Sequence, residues 1–182
     1  MKWKVVVSLL ALFSITAVAS AQDTPKLDVF VGYSYFRDNP STPGVPSFNL
    51  HGGSASVAYN ANNWLSAVAD FGGYHANNIL GSGVDGTLST YLFGPRFSYR
   101  RHERITPFAQ TLFGVAHTSS SIGGTDNAFA ASFGGGVDVK LFHRLSWRPA
   151  QVEYLLTRFP ETTTSRETQN NLRVSTGVVF HF

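Results

Sequence analysis

The sequence predicts an all-β protein: an eight-stranded, antiparallel, up-and-down transmembrane β-barrel, preceded by a cleaved signal peptide. Three observations carry that expectation. Eight segments of roughly ten residues alternate apolar with small or polar residues at a period of two, as strands do when their faces meet different surroundings. The polar gaps between them alternate long and short, as in barrels with short turns at one rim and long loops at the other. The final stretch, LRVSTGVVFHF, keeps this alternation to its last aromatic, Phe182, where soluble domains usually fray into water.

The amino-terminal stretch supplies an address. Met1-Lys2-Trp3-Lys4 is basic, Val5 to Val18 is apolar, and Ala19-Ser20-Ala21 is a small-residue site. That order describes a secretory signal peptide over residues 1–21, with cleavage after Ala21. The rival reading is an anchoring helix, but the apolar core is shorter than the roughly 20 residues of a membrane span. Residues 22–182 then form one domain, and no later stretch is apolar enough for a transmembrane helix, so strands must cross any membrane. Of the 14 lysines and arginines, Lys2 and Lys4 leave with the signal, and the remainder nearly balances the 11 acids. Nothing in that balance points to nucleic acid. Cysteine is absent, which removes disulfides and thiolate metal sites.

Taken in order, the first strand runs from about Leu27 to Phe36, with Leu27, Val29, Val31, Tyr33 and Tyr35 on one face. A long gap, 37–48, follows. The second strand (about 49–59) sets Ala55, Val57 and Tyr59 against Ser54, Ser56 and Ala58. After a tight turn, the third (about 64–74) sets Leu65, Ala67, Ala69 and Phe71 against Ser66, Val68, Asp70 and Gly72. A second long gap spans 75–86. The fourth strand (about 87–100) alternates Tyr91, Phe93, Phe97 and Tyr99 with Thr90, Gly94, Arg96 and Ser98. A short turn leads to the fifth (about 105–117), and a third polar gap, TSSSIGGTDN, to the sixth (about 128–139). The seventh covers about 145–157, and a last long gap, 158–170, feeds the terminal strand. Aromatics cluster near both rims. Tyr59, Trp64, Tyr99, Trp147 and Phe182 mark the short-turn side, and Tyr33, Tyr35 and Tyr74 the other. This is the pattern of two interfacial girdles.

Prolines break the pattern locally. Pro107 suits a strand start, whereas Pro95 and Pro149 each delete a ladder donor inside a strand. Both are expected at β-bulges, the second shifting the register so that Gln151 and Glu153 point inward.

The face opposite the apolar one carries Asp28, Asp70, Arg96, Asp138, Arg148, Glu153 and Arg173 among glycines and serines. Lipid penalises a basic residue at mid-depth by about 2–4 kcal/mol, so these charges are expected in the lumen. An eight-stranded barrel has room inside only for side chains. The charges are therefore expected to pair with one another, glycines making room for the guanidinium groups, and to plug the barrel without a diffusion channel. The alternative is a soluble lipocalin-like or streptavidin-like barrel with the faces inverted. Its exposed face would be Gly, Ser and Ala, poor in the Lys and Glu of soluble surfaces.

The strand-one VGYSYF, the strand-four FGPRFSYR and the terminal LRVSTGVVFHF resemble the small eight-stranded outer-membrane barrels related to the transmembrane domain of outer-membrane protein A and to outer-membrane protein X. The resemblance implies a bacterial outer-membrane location, contact with outer-membrane lipid and lipopolysaccharide, and a monomer. It also implies that Val178, Phe180 and Phe182 are the signal read by the barrel-assembly machinery. Larger members add a periplasmic peptidoglycan-binding domain. This chain stops at Phe182, so anchoring to the cell wall by that domain is not expected.

For chemistry the sequence offers little. It has no HExxH, phosphate-binding loop or nucleophile elbow, and no cofactor or metal is expected. His117 and Ser119 share a parity at the outer end of the fifth strand, and His-x-Ser is reminiscent of the outer-membrane lipid A deacylases, with Asp126 as a candidate acid. The plainer reading is a histidine entering a Ser/Gly-rich loop. The external loops could instead recognise an extracellular ligand, with Arg158, Phe159 and Arg166 as the best anchors. A non-enzymatic envelope role with a plugged polar interior is the leading expectation. Surface adhesion, lipid A modification and a soluble barrel are the alternatives.

Overall fold

A computed structural model describes residues 24–39, 46–121, 125–159 and 167–182. The signal-peptide segment and Arg166 lie outside the described residues. Eight antiparallel strands follow one another round a closed barrel: β1 (Leu27–Asp38), β2 (Phe48–Asn60), β3 (Leu65–Ala76), β4 (Gly86–Ser98), β5 (Ile105–Ser120), β6 (Thr125–Phe142), β7 (Leu145–Phe159) and β8 (Glu167–His181). β1 closes the ring on β8, with Val29 opposite Phe180, and Leu27 exchanges both backbone hydrogen bonds with Phe182. A closed ring leaves no free edge to template aggregation.

The alternation decides which face is which. Phe93, Phe133 and Phe180 stand 52%, 48% and 42% exposed on the outer wall, while Arg96 is 3% and Arg173 0% exposed inside. Apolar side chains cover the outside and charges are sealed within, the reverse of a soluble barrel. Tyr59, Trp64, Tyr99, Trp147 and Phe182 are exposed at the short-turn rim, with Trp64 stacked on Phe97 at 6.0 Å.

Four expectations are corrected. Tyr74 belongs to no girdle: it is buried in the lumen, because it shares the parity of Asp70. Pro95 makes no bulge. It pairs with Ala67 in the same register as Leu65 with Phe97, and the β4–β5 register is the same on both sides of it. The strand tolerates the missing donor because its side chain points outward and the neighbouring pairs hold. The third polar gap is largely strand: Thr118 opposes Asp126 and Ser119 opposes Thr125, leaving 121–124 as the connection. Ser and Thr pair well enough there once the ladder below has fixed the register, and composition alone concealed it. The interior is also not polar throughout. Its outer half is an apolar cluster that includes Phe36, Leu50, Leu88, Leu92, Leu112 and Leu155.

Pro149 behaves as expected. The β7–β8 register slips between Arg148 and Gln151, and the β6–β7 register slips between Val137 and Val139. The extra residue lets Arg148, Gln151 and Glu153 all point inward.

Candidate functional site

The lumen is built as a stack. In the middle, Glu153 of β7 accepts from four side chains: Gln110 Nε2 (2.8 Å) and Ser132 Oγ (3.0 Å) at Oε1, Gln151 Nε2 (2.8 Å) and Arg173 Nε (2.7 Å) at Oε2. Arg173 Nη2 lies 2.5 Å from that second oxygen, in ion-pair contact but not aligned for a hydrogen bond. Its Nη1 donates to Asp70 Oδ1 of β3 (2.7 Å) and to the Tyr74 hydroxyl (3.1 Å). β3 and β7 are four strands apart in a ring of eight, so the Asp70–Arg173–Glu153 bridge crosses the full width of the barrel.

Below it, Arg148 donates through Nε and Nη2 to both oxygens of Asp138 (2.6 and 2.9 Å) and through Nη1 to Gln151 (2.7 Å). Its guanidinium also lies 4.5 Å from the Phe30 ring centre and 4.4 Å from that of Phe108. Arg96 has no carboxylate of its own among the described residues. Its Nε donates to Gln110 (2.8 Å) and its guanidinium sits 4.6 Å from Phe108. A ring face partly replaces the missing anion. The glycines allow close strand approach first: a Cβ on Gly136, Gly177 or Gly134 would meet the backbone oxygen of Ala150, Val31 or Val152 respectively. Beyond that it would press on the Phe108 ring (2.9 Å), the Phe30 ring (2.9 Å) or Glu153 (2.6 Å) in the same order. At the inner rim, Asp28 accepts from Asn60 (2.9 Å), Arg100 (3.0 Å) and His181 (2.6 Å).

At the outer end the strands open into a cavity of about 260 Å³. Leu50 and Leu88 line its floor, with Phe48 and with Ile79 from the short 3-10 helix Ile79–Gly81. Asp38, Asp126, Thr157 and Asn171 form its polar side. Arg37, the residue before Asp38, faces outward and binds Ser47 (2.6 Å), so the lipid-facing part of β1 ends below it and Asp38 stands beyond the membrane. Burial pushes the Asp38 carboxyl up to about 6, against the Asn39 backbone N–H that holds it down.

The other sequence-derived residues are placed as follows. His117 faces the outer wall, its Nδ1 2.8 Å from Asn127 Oδ1. Ser119 lies two residues further along the same face, roughly 7 Å of strand away. Asp126 opposes Thr118 and so takes the inward parity. Ser119 and Asp126 both line the outer cavity, while His117 bonds to Asn127 instead, and among the described residues the three form no hydrogen-bonded triad. Arg158 is exposed at the end of β7, and Phe159 is the last residue of that strand. Val178 and Phe180 lie on the outer face of β8, and Phe182, one residue past its end, is exposed on the same parity and bonded to Leu27. Sequence reasoning missed the outer cavity and the Phe30 and Phe108 platforms. The signal was there: Phe30, Phe36 and Phe108 break the rule that aromatics lie on the outward parity.

No protein-family model matches the chain, and no curated protein matches its sequence. Solved structures do share its architecture. It is similar to Neisserial surface protein A at 14% identity, over 88% of this chain and 100% of that one, with a TM-score of 0.70. The attachment invasion locus protein of Yersinia pestis, Ail, matches at 15% identity over 86% of this chain and 99% of that one, with a TM-score of 0.54. The outer membrane protein AlkL matches at 14% identity over 93% of this chain and 95% of that one, with a TM-score of 0.53. Such distant likeness carries architecture and no task. With charges inside, aromatics outside and eight strands closed on themselves, the chain has the fold of the small eight-stranded outer-membrane β-barrels.

Proposed function

We propose that this chain is a non-enzymatic protein of the bacterial outer membrane, a sealed barrel with a general envelope role. The observation that carries the reading is the Asp70–Arg173–Glu153 bridge, which ties opposite walls together across the lumen. A column of water or solute has to displace that bridge and the apolar plug above it. In a planar bilayer the purified barrel passes almost no current, and Arg173→Ala raises it. A steady, ion-selective conductance in the unaltered protein would end the reading. The outer wall contacts acyl chains and, on the outer side, lipopolysaccharide. The chain acts as a monomer, and Val178, Phe180 and Phe182 present the barrel-assembly signal. Residues 1–21 direct export, so the mature protein begins at Gln22, which mass spectrometry of the isolated protein checks.

A second reading is favoured by the outer cavity. A binding mouth with an apolar floor and two carboxylates suits recognition at the cell surface better than bare structural support does. On this reading Arg158, Phe159 and Arg166 supply the anchors of the last loop. Deleting residues 159–168 removes binding to cells or matrix under this reading and leaves it unchanged under the first.

A further inference from the structure

Two short turns meet beneath the barrel, one between β4 and β5 and one between β6 and β7, and enclose an open vestibule of about 650 Å³. Arg100, His102 and Arg104 enter it from the first turn, Lys140 from the end of β6, and His143 from the second turn. Arg104 and Lys140 are direct neighbours across the β5–β6 ladder. The ladder sets Ile105 opposite Val139, and one step further the Lys140 amide donates to the Arg104 carbonyl at 2.8 Å. Like charges directly opposite one another destabilise a strand pair.

Nothing among the described residues relieves this pair. The acids close by are engaged elsewhere: Asp138 gives both oxygens to Arg148, and Asp28 accepts from Asn60, Arg100 and His181. Glu103 lines the same vestibule without forming an ion pair to Arg104 or Lys140. A guanidinium fork beside an ammonium, both unpaired, is the chemistry that receives carboxylate or phosphate oxygens. The roof of the vestibule is the lumen network itself, reached at Asp28, Asp138 and Ser146, so the opening faces the aqueous side and not the bilayer. In barrels of this kind the short turns lie in the periplasm.

We propose that this vestibule is a binding site for a soluble multivalent oxyanion, phosphate- or carboxylate-bearing, on the periplasmic side. The test uses the full mature protein in nanodiscs of zwitterionic phosphatidylcholine, titrated at low salt with inorganic pyrophosphate and with citrate by calorimetry. Saturable binding of at least one probe is expected, weakened tenfold or more by Arg104→Gln combined with Lys140→Gln. Raising the salt weakens it as well, since the contacts are electrostatic and solvent-open. Arg101→Gln leaves binding unchanged, because that guanidinium lies 5.8 Å over the Tyr99 ring on the outer wall. The double variant removes a repulsion and so keeps the heat-modified gel shift of a folded barrel. A preference for citrate identifies a carboxylate source such as cell-wall peptides, and a preference for pyrophosphate a phosphate source; either supports the site. Absence of saturable binding to both probes, or equal affinity in the double variant, overturns it. So does loss of pyrophosphate binding when phosphatidylglycerol is added to the disc, which would move the site to the bilayer surface.

Discussion

Arg173 holds two carboxylates that water cannot reach, and its removal strands both. Breaking a buried pair by deleting one partner costs about 3–5 kcal/mol, far more than replacing all the charges together. Arg173→Met should therefore lower stability by about that amount in urea unfolding from lipid vesicles. Adding Asp70→Asn and Glu153→Gln to it should restore part of the loss. Asp38 works in the opposite sense. Its carboxyl titrates near 6 in the folded chain, against an ordinary value of 3.8, because burial disfavours the charge. Between about pH 4 and pH 6 the folded chain keeps a proton that the unfolded chain has lost, so stability falls as pH rises through that window. Asp38→Asn removes the slope. The same unfolding measurement should show the variant more stable by up to about 2 kcal/mol at pH 7.5 and indistinguishable near pH 4. Neither residue's role could be taken from its identity alone. Arg173 was legible as an inward charge, but its two partners come from strands distant in sequence.

The strands show where alternation suffices and where it fails. β1, β3 and β4 follow the period of two closely enough that outward and inward residues are readable along the chain, and Tyr74 of β3 is misread only where residue type is set above its inward parity. Pro149 was legible as a bulge because the alternation changes phase there, with Arg148 and Gln151 both needing the inside. Pro95 carries the same donor defect without a phase change, and the ladder runs through it. The ends of β5 and β6 were hidden because Ser, Thr and Asn are read as loop until a partner strand fixes them. Close strand approach also sets limits that composition only hints at. A Cβ on Gly114 would collide with the Tyr91 carbonyl oxygen of the neighbouring strand. Gly114→Val should therefore force β4 and β5 apart and cost about 1–3 kcal/mol, read as a lower urea midpoint and a weakened heat-modified band.

The whole molecule turns one choice of sides into a membrane protein. Phe93 lies near mid-wall on the outer face, so Phe93→Arg should cost about 2–4 kcal/mol when the barrel is folded into bilayers. Were that face in water, the same change would be nearly neutral, and unfolding measurements separate the two. By itself the sequence determined the fold class, the strand number, the outward set and the presence of charges within. It could do so because a two-residue period acts locally and a barrel wall repeats it eight times. Only the tertiary structure decided which charges meet, that phenyl rings carry Arg96 and Arg148, that the outer lumen is apolar, and that two basic turns converge beneath the barrel. Those depend on ring closure and inter-strand register, which bring together residues that no local period relates.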